Sequence, residues 1–407
     1  MNENNLAKNS IFNTIGVFVY FFFQWVSTIL VVRFSDFTEA GVYSLAISFT
    51  NIFAVISSFG VRGYQISDVS HRHTDGTYIA ARITSNLLSW LLFIVALIFV
   101  RFSNYILLCC IAMMCFKGME SASDVFAGIM QKLNRYDAIA LSNILKGLIP
   151  IIFFCIALFL KNLIWGIGAM ATAYLLVLLF YDMPVIMHNK GFTRSISLQD
   201  ILHILRVSFP LMFFSLVYPY MTFITRNIVK DMYSGEELGY YSSVTILIVV
   251  MLVLTGAIWT VFMPQMSALY SNREYGHLKK NMLQIVCRIA VLSIVLLIAG
   301  FLLGNMGLGL LFGKEILLYS FLLPPVIIVS SILTLVNFFN SALIAFQKRN
   351  KMLIANLIGA VFCTLLLRPL VTCFGMAGSL YCLIISMGIQ LVLLTGITII
   401  TLGKKDR

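Results

Sequence analysis

Twelve long apolar runs separated by short polar stretches account for most of the chain, at 11–32, 42–60, 83–100, 105–130, 138–160, 163–183, 208–225, 241–262, 283–303, 321–345, 352–372 and 377–400. Most are near the roughly 20 apolar residues that carry a helix across a bilayer. None alternates with the period of a half-buried strand, and the linkers are too short for a separate catalytic domain. The pattern predicts an all-α, polytopic membrane protein of about twelve spanning helices. Composition agrees. The 407 residues are 60% hydrophobic and 11% charged, with a mean hydropathy of +0.96, well outside the range of soluble domains.

Charge then supplies orientation. The net charge is +12, which in a soluble chain would suggest nucleic acid. Here eighteen Lys and Arg fall in the termini and every second loop, and six on the opposite side. Basic residues collect in cytoplasmic loops, so both termini are expected in the cytoplasm and no nucleic-acid partner is expected. The longest connections on this basic-loop side are 61–82, 184–207 and 263–282. The eight cysteines lie in or beside apolar runs without CxxC spacing, and the five histidines lie in polar loops without HExxH spacing. No metal site, cofactor or disulfide frame is expected.

The halves of the chain resemble each other. Gln131-Lys-Leu-Asn-Arg135 follows the fourth run and Gln347-Lys-Arg-Asn-Lys351 the tenth, and each precedes an Asn and a Gly, at Asn143 and Gly147, and at Asn356 and Gly359. Arg33 ends the first run before Gly41-Val-Tyr43-Ser44, and Arg226 ends the seventh before Gly239-Tyr-Tyr241-Ser242. Two six-helix lobes, 1–190 and 191–407, related as parallel repeats are expected, with a substrate cavity between them.

Six ionisable residues interrupt the runs: Lys117, Glu120, Asp124, Lys146, Arg288 and Arg368. Each costs about 2.5–3.5 kcal/mol at a helix centre, so pairing, hydration or an interface position is required. Lys117, Glu120 and Asp124 share one helical face by their three- and four-residue spacing. Lys146 lies at matching depth on the next helix, which predicts a pair with Glu120 or Asp124. Such a pair either fixes packing or forms the wall of a polar cavity. Arg288, close to its helix end, is expected to snorkel. Arg368 precedes Pro369 and either caps a broken helix or meets substrate, while Arg33 and Arg226 stand at outer helix ends.

Arg62-Gly-Tyr64-Gln65-Ile-Ser67-Asp68, Ser123-Asp124-Val-Phe-Ala-Gly128-Ile-Met-Gln131 with Arg135, Asp137, Ser142 and Lys146-Gly147, and Leu310-Leu-Phe-Gly313-Lys314-Glu315 resemble segments of Wzx-type flippases. These are polysaccharide repeat-unit exporters of the multidrug/oligosaccharidyl-lipid/polysaccharide exporter superfamily. The resemblance implies a bacterial cytoplasmic-membrane protein with a central cationic cavity, and no enzymatic activity. It further implies a lipid-linked oligosaccharide as substrate, with membrane lipids, a polysaccharide polymerase and chain-length proteins as partners. Arginine forks suit a diphosphate, so Arg33, Arg62, Arg226 and Arg368 join Lys117, Glu120, Asp124, Lys146 and Arg288 as cavity candidates. A multidrug or small-solute exporter of the same superfamily is the alternative. The run Gly309–Lys314 lacks the length and the Ser/Thr of a phosphate-binding loop.

Overall fold

The computed structural model describes residues 3–68, 72–160, 162–188, 192–249, 266 and 268–403. Among them there is no strand, and eleven helices are long and apolar enough to span a membrane. The helices are α1 (Glu3–Phe34), α2 (Phe37–Ser58), α3 (Val61–Ser67), α4 (Asp75–Phe99), α5 (Asn104–Lys132), α6 (Tyr136–Phe159), α7 (Leu163–Val177) and α8 (Met183–Met187), followed by α9 (Leu198–Ser215), α10 (Val217–Met232) and α11 (Gly235–Thr245). The remainder are α12 (Tyr275–Phe312), α13 (Leu323–Ala345), α14 (Arg349–Phe374) and α15 (Ala377–Gly403), with a 3₁₀ segment at Glu315–Leu322 before α13. Of the expected span 241–262, residues 250–262 lie outside the described residues.

Polar residues at the loop edges start the helices. Thr74, Ser103, Asn162 and Ser197 each accept a backbone N–H three residues on, at the starts of α4, α5, α7 and α9, satisfying donors that hydrocarbon leaves unpaired. Ser234 and Glu237 form a reciprocal capping box on α11. The sixth span is not one plain helix. α7 passes through a π turn, Leu178–Asp182, into α8, and such turns re-aim side chains at functional sites.

The chain divides into two compact units, Met1–Tyr220 and Met221–Arg407. In the first, α5 is central and packs on α2, α4 and α7, with α3 against it, while α1 lies along α6. Small residues permit that last approach. A Cβ on Gly16 would stand 2.7 Å from the Ala140 Cα, and one on Gly147 2.9 Å from the Phe23 ring. The seventh span begins ten residues before the expected Ser208, as α9. Its first turns carry Gln199, Asp200, His203 and Arg206 beside apolar positions, which masks them from hydropathy, and they pack on α3 and α4.

In the second unit α15 packs on α13 and α14, and α12 on α13. The α5–α6 and α13–α14 connections are the same turn. Asn134 and Gln347 have φ of 56° and 58°. The following N–H groups reach back five residues, Arg135 to the Met130 carbonyl at 2.9 Å and Lys348 to Leu343 at 2.8 Å. The two turns lie 213 residues apart in the chain. At that spacing Asn356 stands 213 residues after Asn143, and Gly359 213 after Lys146.

The basic-loop end of the first unit is tied by Asp68. Its carboxylate accepts the Arg72 N–H at 3.0 Å, the His73 N–H at 3.2 Å and the Tyr78 hydroxyl at 2.9 Å, with the Lys132 ammonium at 3.8 Å. Beside it, Gly76 donates to the Thr193 carbonyl at 2.9 Å and the Thr74 hydroxyl to the Ser195 carbonyl. Burial opposes the charged form of Asp68, but the three hydrogen bonds and Lys132 outweigh it and hold its pKa down to about 2 from 3.8. A depressed carboxylate stabilises the fold above its unfolded pKa, and the effect is lost as pH falls through the folded value. About 2 kcal/mol should vanish between roughly pH 4 and pH 2. The protection factors of the Arg72 and His73 amides against hydrogen exchange should fall as pH drops through that window in the native protein and show no such step in Asp68→Asn.

Candidate functional site

Seven ionised side chains meet toward the basic-loop end of the first unit. α5 contributes Lys117, Glu120 and Asp124 on the one face that their spacing requires. Glu120 accepts the Lys117 ammonium at 2.7 Å, the Tyr20 hydroxyl at 2.5 Å and the Gln24 amide at 3.2 Å, the last two from α1. Asp124 is held between two guanidinium groups, with Arg62 of α3 on one oxygen and Arg82 of α4 on the other, each at 2.8 Å. Arg82 also donates to the Ser58 carbonyl at 2.6 Å and the Ser121 hydroxyl at 3.3 Å. Arg62 reaches the Gln131 side-chain oxygen at 3.3 Å.

Lys146 of α6 pairs with Asp182, at 2.5 Å, in the π turn after α7. Ser142 and Ser123 donate to the two Asp182 oxygens at 2.7 and 2.8 Å, and Lys146 also bonds Ser123. The expected partnership of Lys146 with Glu120 or Asp124 is thus corrected. Those carboxylates are taken by Lys117 and by the two arginines, and the π turn delivers a third carboxylate to Lys146.

Two members of this network are absent from the sequence-derived candidates. Asp182 sits at the very end of an apolar run, where it does not stand out as an interruption. Arg82 borders the polar stretch 61–82, although the Thr74-Asp75 start signal places it two turns into α4, where its side chain is 1% exposed. Helix-start chemistry is the signal that finds Arg82. Nothing local announces the π turn at Asp182.

The remaining candidates lie on other helices. Arg33 is exposed in the last turn of α1, Arg226 is half-buried on α10, and Arg288 and Arg368 are exposed on α12 and α14. α14 runs unbroken through Pro369, so Arg368 caps no helix break. Among the described residues of the second unit, the buried polar cluster on α13, α14 and α15 is neutral. Asn356 donates to the Asn340 side chain at 2.8 Å, and Gln390 donates to the Asn356 carbonyl at 3.2 Å, in the space that Gly359 leaves free.

The network is built of ion pairs and hydrogen bonds between side chains. It offers a fixed pattern of charge whose Arg62, Asp124 and Glu120 side chains remain 34%, 30% and 27% exposed, while Lys146 and Asp182 are 3% and 1% exposed. That pattern suits recognition of a polar or anionic group. The sealed Lys146–Asp182 pair should behave as a unit. Lys146→Met or Asp182→Leu alone leaves a buried uncompensated charge and should cost about 3–5 kcal/mol, whereas the double substitution should recover most of the loss. Unfolding in detergent of the four proteins measures this, and strictly additive losses would show that the two groups do not interact.

Comparison with known proteins follows the same lines. A family model described as "Polysaccharide biosynthesis protein" matches residues 6–270. The capsular polysaccharide biosynthesis protein CapF of Staphylococcus aureus is 24% identical over 303 residues, covering 72% of this chain and 74% of CapF. Among solved structures, the inward-facing conformation of a multidrug resistance MATE family transporter of the MOP superfamily aligns with a TM-score of 0.73 at 13% identity, over 98% of this chain and 100% of that one. The Vibrio cholerae MATE transporter VcmN, in its bent form, aligns with a TM-score of 0.62 at 12% identity, over 99% of this chain and 97% of that one.

Proposed function

Because the chain belongs to the polysaccharide biosynthesis protein family, and its fold is that of the MATE transporters, we propose that it exports an undecaprenyl-diphosphate-linked oligosaccharide repeat unit. Transport runs from the inner to the outer leaflet of the bacterial cytoplasmic membrane and supplies surface polysaccharide synthesis. The observation that carries this reading is the family match together with a membrane-embedded charge network that holds four cations to three anions. A diphosphate head group needs such cations, and the sugars need a polar, hydrated wall. A cationic drug would need free carboxylates, and here Glu120, Asp124 and Asp182 are each bonded to a cation.

The lobes 1–190 and 191–407 would alternate access to the two faces, with both termini in the cytoplasm. No covalent step on the substrate is required. The head group carries roughly two negative charges out of an electrically negative interior. Moving each fully across is worth about 2.3 kcal/mol per 100 mV, so the membrane potential alone supplies a drive on the order of 4–5 kcal/mol per 100 mV.

Expression in a strain lacking its own repeat-unit exporter should restore surface polysaccharide without changing drug resistance. In vesicles holding purified lipid-linked substrate, transport should follow an imposed potential at constant pH. Drug efflux without polysaccharide rescue would replace this reading with multidrug export, and transport that ignored potential but followed a proton or sodium gradient would overturn the electrical drive.

A further inference from the structure

The charge network has one cation more than it needs. Lys146 serves Asp182, Lys117 serves Glu120 and Arg82 serves Asp124. Arg62 is the fourth cation, and it shares Asp124 with an arginine that is already in place. The two guanidiniums are not equivalent. Arg82 is 1% exposed and is also anchored by the Ser57 and Ser58 carbonyls and the Ser121 hydroxyl, so it cannot leave without abandoning four acceptors. Arg62 is 34% exposed, the most open of the four cations, and beyond Asp124 it reaches Gln131 through a longer contact of 3.3 Å.

Physical chemistry makes Arg62 the group that can move. Withdrawing it leaves Asp124 neutralised by Arg82, so no uncompensated charge remains in the membrane. Withdrawing any of the other three would disturb a tighter site. Lys117 and Lys146 would each leave a carboxylate without its cation, and Arg82 would break its three further anchors. A guanidinium presents a planar fork that fits phosphate oxygens through paired bonds, and its long stem lets it turn without backbone movement.

We infer that Arg62 exchanges partners, leaving Asp124 and Gln131 to bind a diphosphate group, while Arg82 keeps Asp124 neutral and the unit intact. This deepens the export reading, on which it rests for the identity of the ligand as a polyprenyl-linked diphosphate. The chemistry it recognises is the diphosphate itself. Asp124 is then the resting partner of the substrate arginine and not a ligand.

The test uses the full chain in nanodiscs, with two probes measured separately: inorganic pyrophosphate in solution and polyprenyl diphosphate in the bilayer. Arg62→Gln should weaken binding at least tenfold while leaving the unliganded thermal midpoint near that of the native protein. Arg62→Lys should recover part of the affinity, because it restores charge without the fork. Gln131→Ala releases one restraint on Arg62 without altering charge and should bind a few-fold more tightly. Arg82→Gln should lower the thermal midpoint strongly. Arg62-dependent binding of the lipid alone places the recognised group on a lipid, and equal dependence for both probes shows that the head group suffices. Either result supports the exchange. Failure of the native protein to bind either probe, unchanged binding in Arg62→Gln, or a thermal loss in Arg62→Gln equal to that of Arg82→Gln would overturn it. The export reading is judged separately. Arg62-dependent binding without export would remove that reading and keep the site, and export with unchanged binding in Arg62→Gln would do the reverse.

Discussion

An ionised side chain carried into hydrocarbon by one helix has to meet its opposite on another, and that requirement organises the first unit. Seven such groups left unpaired would cost on the order of 20 kcal/mol at insertion-scale values, beyond the stability of most folded domains. Their pairing joins distant elements. Asp124 draws α3 and α4 onto α5, Glu120 draws α1 onto it through Tyr20 and Gln24, and the Lys146–Asp182 pair fastens α6 to the π turn after α7. Where apolar side chains gain little from leaving lipid for one another, these contacts and the close approaches at Gly16 and Gly147 specify which helices are neighbours.

The second unit shows the same turn with different chemistry. Gly359 follows its turn at the same spacing as Lys146 follows its own, and Gln390 fills the space that Gly359 leaves with an amide. The described part of that unit therefore closes its core with neutral hydrogen bonds among Asn340, Asn356 and Gln390, and the first unit concentrates the charge.

Much of this is legible in the chain. Hydrophobic run length locates eleven of the spans, because bilayer thickness fixes that length regardless of partner. The three-residue and four-residue spacing of Lys117, Glu120 and Asp124 gives their shared face, because helical periodicity is local. Partner identity is not local. Lys146 has three carboxylates within plausible depth, and the choice of Asp182 depends on a π turn that no residue pattern announces. Arg82 is hidden when polar residues near an apolar run are assigned to the adjoining loop, although the Thr74 cap sets the helix start seven residues earlier. Arg33, Arg226, Arg288 and Arg368 meet the criterion of an arginine near apolar sequence, yet that criterion carries no information about convergence.

The buried groups of the first unit are ion pairs, each anion holding its own cation, and the rest of the account depends on that state. Nitrogen-15 NMR of the lysine side chains reads it directly, with Lys146 assigned by its loss in Lys146→Met. At neutral pH the Lys146 nitrogen should report an ammonium ion, and Asp182→Asn should perturb that signal strongly while Asp124→Asn should shift it little. A neutral-amine signal from Lys146 in the native protein, or one insensitive to Asp182, would contradict the account.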